Sequence, residues 1–217
     1  MTAVASATVI EAFHLWYYNS DVWTRTTFLG IPCAKSVLDM WNYQEIIVSL
    51  RPSLIVEFGT WRGGSALFFS TMLGLASPHS KVLTVDVNGA QIDPRVRADP
   101  HIELLECSST DPRVASRISE LRQAYAGLVF VNIDSDHRID HVLGELKLLR
   151  TVLRPGDYVV LEDTNINGHP VLPGWGAGPM EALGAYEREF PNDYVHDVER
   201  EQKFGFSFAP GGFLVRR

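Results

Sequence analysis

One stretch, residues 54–86, limits what this chain can fold into. Leu54-Ile55-Val56-Glu57-Phe58 is an apolar, largely branched run of strand length that carries a single acid. The glycine-rich turn Gly59-Thr60-Trp61-Arg62-Gly63-Gly64 follows, a helical pattern opens at Ser65, and residues 81–86 form a second apolar strand ending in Asp86. Each part of this strand, turn, helix and strand unit has a use. Glycines let the backbone approach a ligand, helix-start N–H groups point at a carboxylate or phosphate, and an acid closing the next strand can accept both hydroxyls of a ribose. The unit is built to grip a nucleoside.

The glycine spacing separates cofactor classes. It lacks the G-x-G-x-x-G pattern of a dinucleotide fingerprint, and no lysine follows as in a phosphate-binding P-loop, which disfavours a nicotinamide cofactor. Glu57, Gly59 and Ser65 suit the amino-acid end of S-adenosylmethionine, whose ammonium needs an acid and whose carboxylate needs N–H and hydroxyl donors.

Around this unit, strands and helices alternate. Residues 7–19 and 35–50 read as helices, the second with Val37, Met40, Trp41, Ile46, Ile47 and Leu50 as its buried side. Residues 102–107 form a third strand, and Asp111 before Pro112 is a good N-cap for a helix to about Tyr125. Residues 128–133 make a fourth strand, and Ile139, Val142, Leu146, Leu149 and Leu153 mark one helical face. Residues 158–161 make the fifth strand, and a long Gly/Pro/Asn/His-rich loop leads to a helix at 179–190. The tail offers strands at 194–198, 204–208 and 212–215, the last two joined by Pro210-Gly211-Gly212 as an antiparallel hairpin. The expected fold class is α/β, a doubly wound, Rossmann-like, mostly parallel sheet in one domain over residues 1–217. Residues 1–50, rich in aromatics, are expected to form a helical lid or interface segment, its rings packing against the body or a partner subunit or stacking on a substrate, and the partner reading leans to a homodimer.

Composition narrows the partners. A formal net charge of -7 argues against nucleic acid, whose binding relies on clustered Lys and Arg. The two cysteines, Cys33 and Cys107, stand in no metal-binding or redox spacing. No stretch approaches the length of a membrane span and the N-terminus lacks the basic start of a signal peptide, so a cytoplasmic protein is expected.

The chemistry gathers after the fourth and fifth strands, at Asp134-Ser135-Asp136-His137 and Glu162-Asp163. Neighbouring parallel strands deliver their last residues to one sheet edge, so Asp134, Glu162 and Asp163 can converge. Three carboxylates in a partly dry cleft repel one another, so something positive should sit among them. Hard oxygen ligands without cysteine select magnesium, manganese or calcium over zinc. His137, three residues beyond Asp134, titrates near neutrality and is the candidate general base. His141 follows one turn later, but His137-x-x-x-His141 lacks the glutamate of a zinc-protease helix.

Several segments together resemble the cephalosporin hydroxylase family, which includes rhamnosyl and other sugar O-methyltransferases. They are Phe28-Leu29-Gly30-Ile31-Pro32, Asp39-Met40-Trp41-Asn42-Tyr43-Gln44-Glu45, Val56-Glu57-Phe58-Gly59-Thr60 with Gly63-Gly64-Ser65, Asp134-Ser135-Asp136-His137, Glu162-Asp163 and Gly211-Gly212-Phe213-Leu214. The likeness runs from about Thr26 to the end, and the acid layout is also similar to that of macrolide-sugar and catechol O-methyltransferases. The resemblance implies an enzyme dependent on S-adenosylmethionine and Mg2+ that methylates a saccharide hydroxyl. It implies Glu57, Gly59, Thr60, Trp61 and Ser65 around the methionine part, Asp86 at the ribose, and Ser108 and Ser109 beside the adenine. Asp134, Glu162 and Asp163 become the metal ligands, Asp134 also bordering the cofactor, and His137 the base. The chain departs from the family at Glu106-Cys107-Ser108, where a Gly-Asp pair often stands. Two rival expectations are a catechol-type enzyme acting on a small phenol and a non-catalytic accessory protein of a hydroxylase.

Overall fold

The apolar run that opens the nucleoside unit becomes the middle of a sheet. In the computed structural model, β3 (Leu54–Phe58) is buried at every residue and lies between β4 (Lys81–Asp86) and β6 (Val129–Ile133), parallel to both. A strand apolar on both faces needs helices above and below. The structure describes the backbone of residues 3–217 and the side chains from Thr8 onward.

Seven strands pair in the order β5-β4-β3-β6-β7-β9-β8, where β5 is Ile102–Glu106, β7 is Tyr158–Leu161, β8 is Tyr194–His196 and β9 is Phe213–Arg216. The first five are parallel, and β9 runs antiparallel to β7 and to β8. One face is covered by α5 (Pro112–Ala124), α6 (Ile139–Arg150) and α7 (Pro179–Glu189), through Ile118, Leu146, Leu149 and Leu183 among others. On the other face, α2 (Val37–Leu50) and α3 (Gly64–Ala76) bury Tyr43, Ile47, Phe69 and Leu73. From β3 the chain winds outward through β4 to β5 and then returns to β6 on the opposite side. The strand order therefore reverses between β3 and β6, where a ligand crevice is expected at the carboxyl ends.

The expected α/β fold is present, and the structure changes three details. The buried side of α2 is Asp39, Asn42, Tyr43, Ile46 and Ile47, whereas Val37 and Trp41 are exposed. The two polar residues go inside because they hold backbone of the chain's tail: Asp39 accepts from Phe208 N at 2.9 Å and Ser207 Oγ at 2.7 Å, and Asn42 Nδ2 donates to Arg200 O at 3.0 Å. Residues 204–208 are not a strand for the same reason. Their polar groups serve Asp39, and Phe206 and Phe208 pack against Tyr17 and Tyr18 of α1 (Ala3–Asn19). The antiparallel pair at the sheet's edge is instead β8 with β9, and a short helix α8 (Val198–Gln202) lies in the connection. A further short helix, α4 (Pro94–Ala98), follows β4.

Within the 1–50 segment, whose first two residues lie outside the described residues, α1 leads to a hairpin of β1 (Thr27–Phe28) and β2 (Ile31–Pro32). His14, Tyr17, Tyr18 and Trp23 pack inward on Phe206 and Phe208, while Phe13 and Trp16 stay exposed. No helix of the described residues is long and apolar enough to cross a membrane.

Asp39→Ala removes one acceptor from two buried donors. An unsatisfied buried donor costs about 1–3 kcal/mol, so urea unfolding should record a loss of at least that size, with Asp39→Asn losing less because one oxygen remains. An unchanged midpoint in Asp39→Ala would mean that the tail is held by packing alone.

Candidate active site

β6 and β7 end at the same level, with Ile133 paired to Leu161, so Asp134 and Glu162 leave the sheet side by side. Asp134 N donates to Phe58 O at 2.9 Å and Glu162 N to Ile133 O at 3.0 Å, which extends both strands by one residue toward the crevice. Asp163 then takes a left-handed backbone, φ 54°, and bends the chain away from the strand. Its Oδ2 lies 3.2 Å from His137 Nε2, which in turn lies 3.3 Å from Asp134 Oδ1. One ligand atom each from Asp134, His137 and Asp163 falls within 4.8 Å of the others, a spacing that can hold a metal ion.

Glu162 faces a different partner. Its Oε1 accepts from Lys35 Nζ and from Asn132 Nδ2, each at 2.6 Å, and Lys35 Nζ also donates to Asp134 Oδ2 at 2.6 Å. Lys35 is 3% exposed. It precedes α2, directly after the β1–β2 hairpin, so this segment is tied by an ion pair to the ends of β6 and β7. Sequence reasoning took Lys35 only as the start of an amphipathic helix. The usable signal was the demand for a positive charge among three acids, which did not say which cation would answer it.

Charge in this cluster follows from burial and proximity. Burial opposes the Lys35 ammonium, but Asp134, Glu162 and Glu57 outweigh it and keep the amine charged. Burial likewise opposes a charged His137, yet the hydrogen bond to Asp134 and the charges of Asp163, Asp134 and Glu162 push it up to about 9. Burial pushes Asp163 up to about 7, against the pull of His137 and Lys35.

The cluster forms one wall of a cleft of about 760 Å³, and the glycine turn forms another. Gly59, Thr60, Trp61, Ser65, Asp86, Ser109, Asp134, His137 and Asp163 line it; Glu57, Ser108 and Glu162 do not. Asp86 has a task beyond the one expected of it. Its Oδ2 accepts from the N–H groups of Thr60 at 3.0 Å and Trp61 at 2.9 Å, and so holds the turn in shape, with Trp61 in a left-handed conformation, φ 46°. Two glycines also serve the protein's own packing. A Cβ on Gly59 would lie 1.8 Å from the carbonyl oxygen of Asp134, and one on Gly64 would lie 2.2 Å from that of Pro32.

Glu57 sits just beneath the cleft, fully buried, with Oε2 accepting from Thr84 Oγ1 at 2.6 Å and Oε1 without a partner. Burial pushes its carboxyl up to about 7. A buried acceptor left unpaired is costly, and this one is available to a donor from a ligand. Next to Ser109 lies a network that sequence reasoning missed: Ser109 Oγ is 2.8 Å from His141 Nε2, and both Ser109 and Ser135 donate to the buried Glu145. Ser108 pairs with Thr110 at 2.9 Å.

The chemistry of these residues fits the two groups expected here. Asp134, Glu162 and Asp163 bring hard oxygen donors to one sheet edge, as a magnesium-type ion requires. The orphaned Glu57 oxygen and the N-terminus of α3 beside Ser65 offer opposite polarities to the two ends of an amino-acid moiety.

Comparison with known proteins agrees with this geometry. The model of the family described as Rhamnosyl O-methyltransferase/CmcI matches residues 20–217. The chain is 56% identical over 211 residues to a rhamnosyl O-methyltransferase of Mycobacterium bovis (strain BCG / Pasteur 1173P2), covering 97% of this chain and 86% of the relative. It is 54% identical over 209 residues to that of Mycobacterium leprae (strain TN), covering 96% and 91%. Among solved structures, CmcI with magnesium and S-adenosylmethionine superposes with a TM-score of 0.71 at 20% identity, over 89% of this chain and 77% of that one. CmcI with S-adenosylhomocysteine gives 0.67 at 20% identity, over 90% and 84%. These likenesses establish a shared fold, and the sequence matches establish kinship: the chain belongs to the Rhamnosyl O-methyltransferase/CmcI family.

Proposed function

We propose that this protein transfers the methyl group of S-adenosylmethionine to a hydroxyl of a saccharide, with magnesium as the second cofactor and His137 as general base. The observation that supports the reading is the grouping of Asp134, Asp163 and His137 at the carboxyl ends of β6 and β7, beside the glycine turn, with Glu162 on the same sheet edge and paired to Lys35. Relatives over half identical are named for a rhamnosyl acceptor, which favours a deoxyhexose hydroxyl here.

In this reading Glu57 receives the cofactor's ammonium, Ser65 and the start of α3 its carboxylate, and Asp86 its ribose, with Ser108 and Ser109 on the adenine side. Asp134, Glu162 and Asp163 hold the metal. Bound there, the cofactor supplies a methyl on a good leaving group, and the ion supplies Lewis-acid stabilisation for an alcohol whose own pKa lies far above 7. The chain's residues do the rest. His137 Nε2 accepts the hydroxyl proton, and the walls of the cleft bring oxygen and methyl into line. Lys35 sets the charge: with a divalent ion it balances the three carboxylates. With a cation held by Asp134 and Asp163, their charge would no longer stabilise a proton on His137, whose Nε2 would be open to accept one.

Methyl α-L-rhamnopyranoside, labelled S-adenosylmethionine and Mg2+ should yield a singly methylated glycoside by mass spectrometry, with none formed in excess EDTA; full transfer in EDTA would refute the metal's role. In the same assay His137→Ala should retain cofactor binding and lose about 10²–10⁴-fold in turnover, the usual scale for a missing general base. Wild-type turnover would remove His137 from the mechanism.

Lys35→Met leaves the buried acids without their counter-charge. Breaking a buried pair from one side costs about 3–5 kcal/mol, and urea unfolding in EDTA should show a loss of that order. A loss below about 1 kcal/mol would mean that the acids are neutral without metal.

The metal-free protein should also lose stability toward alkaline pH. His137 has its folded pKa raised from 6.5 to about 9, so its contribution is complete below pH 6.5 and disappears as pH rises through 9. Unfolding free energy measured in EDTA should fall across that window, and His137→Gln should flatten the fall. An equal slope in both proteins would contradict the placement of the imidazole between Asp134 and Asp163.

A further inference from the structure

The loop between β7 and α7 carries an indole that the catalytic reading leaves unused. Trp175 is 51% exposed, lines the same cleft as His137, and has its ring centroid 6.5 Å from the imidazole. Its segment is pinned on both sides. Trp175 N donates to Leu172 O at 3.0 Å, and Gly176 N to Asn167 Oδ1 at 3.1 Å. Asn167 Nδ2 and His169 Nε2 each meet Glu181 Oε1 at 2.9 Å, while Glu181 Oε2 accepts from Gly178 N at 2.8 Å. Glu181, in the first turn of α7, thus clamps both flanks of the loop that carries the indole. Leu172 and Ile166 line the same cleft and add apolar wall to one that carries Asp134 and Asp163 beside the base.

A flat ring carried on a pinned loop beside His137 matches one kind of acceptor well. A pyranose has an apolar face of C–H groups that packs on an aromatic face, and it pays little entropy when the ring is already in position. A 6-deoxyhexose, with a methyl in place of a hydroxymethyl, extends that apolar face toward residues such as Leu172 and Ile166. We propose that Trp175 is the platform on which the acceptor sugar stacks, a specificity-determining residue that presents the sugar's hydroxyl to His137. This rests on the saccharide reading above.

Steady-state methylation of methyl α-L-rhamnopyranoside tests it, with wild type, Trp175→Ala and Trp175→Phe loaded with Mg2+, and S-adenosylhomocysteine affinity measured alongside. For Trp175→Ala, kcat/KM for the glycoside should fall tenfold or more, with the loss carried by KM. S-adenosylhomocysteine affinity should stay within twofold, and Trp175→Phe should recover most of the loss. An unchanged KM in Trp175→Ala, or a loss of S-adenosylhomocysteine binding of the same size, overturns the platform. If wild type neither binds nor methylates the glycoside, the saccharide reading fails and the platform falls with it, an outcome distinct from a wild type that turns over beside an unaffected variant.

Discussion

A single ammonium lies between the two strand ends on which this site depends. Lys35 reaches Asp134 and Glu162 at 2.6 Å each from a segment far away in sequence, and it is buried as it does so. Without a cation there, three acids delivered to one sheet edge would repel one another and take up protons. With it, Asp134 is free to offer its other oxygen to the cleft, where His137 and Asp163 meet it. The same ion pair fastens the segment after the β1–β2 hairpin to the ends of β6 and β7.

The sheet makes this possible through register. Because β3, β6 and β7 run parallel and end level, the glycine turn after Phe58, Asp134 after Ile133 and Glu162 after Leu161 reach the crevice together. The close approach of the turn to β6 explains the glycine at position 59 better than ligand contact does, since a side chain there would collide with the Asp134 carbonyl. Asp86 fixes the turn from the opposite side through two backbone N–H groups. A cofactor would therefore meet a cradle that is already shaped, which lowers the ordering cost of binding.

Most of the fold was legible in the sequence because its central strands are buried on both faces and its helices are bounded by clear stops, such as Asp111-Pro112 at the start of α5. The convergence of Asp134, Asp163 and His137 was legible for a related reason: neighbouring parallel strands end at a common edge. The misreadings occurred where polar residues serve the backbone. Hydrophobic periodicity placed Val37 and Trp41 inside α2, but Asp39 and Asn42 take the buried side to hold the tail. The same hydrogen bonds, with the aromatic packing of Phe206 and Phe208, keep residues 204–208 from forming a strand. Lys35, Glu145 and Trp175 carried no local signal, since their roles depend on contacts made across the fold.

The account as a whole requires a divalent cation to share the acids with Lys35. Anomalous diffraction from a crystal soaked with Mn2+ and S-adenosylhomocysteine measures this directly. One peak is expected at the ends of β6 and β7, within coordination distance of carboxylate oxygens of Asp134, Glu162 and Asp163, with the cofactor product along the glycine turn. Ordered product with no peak among those acids, or a peak held elsewhere, would contradict it.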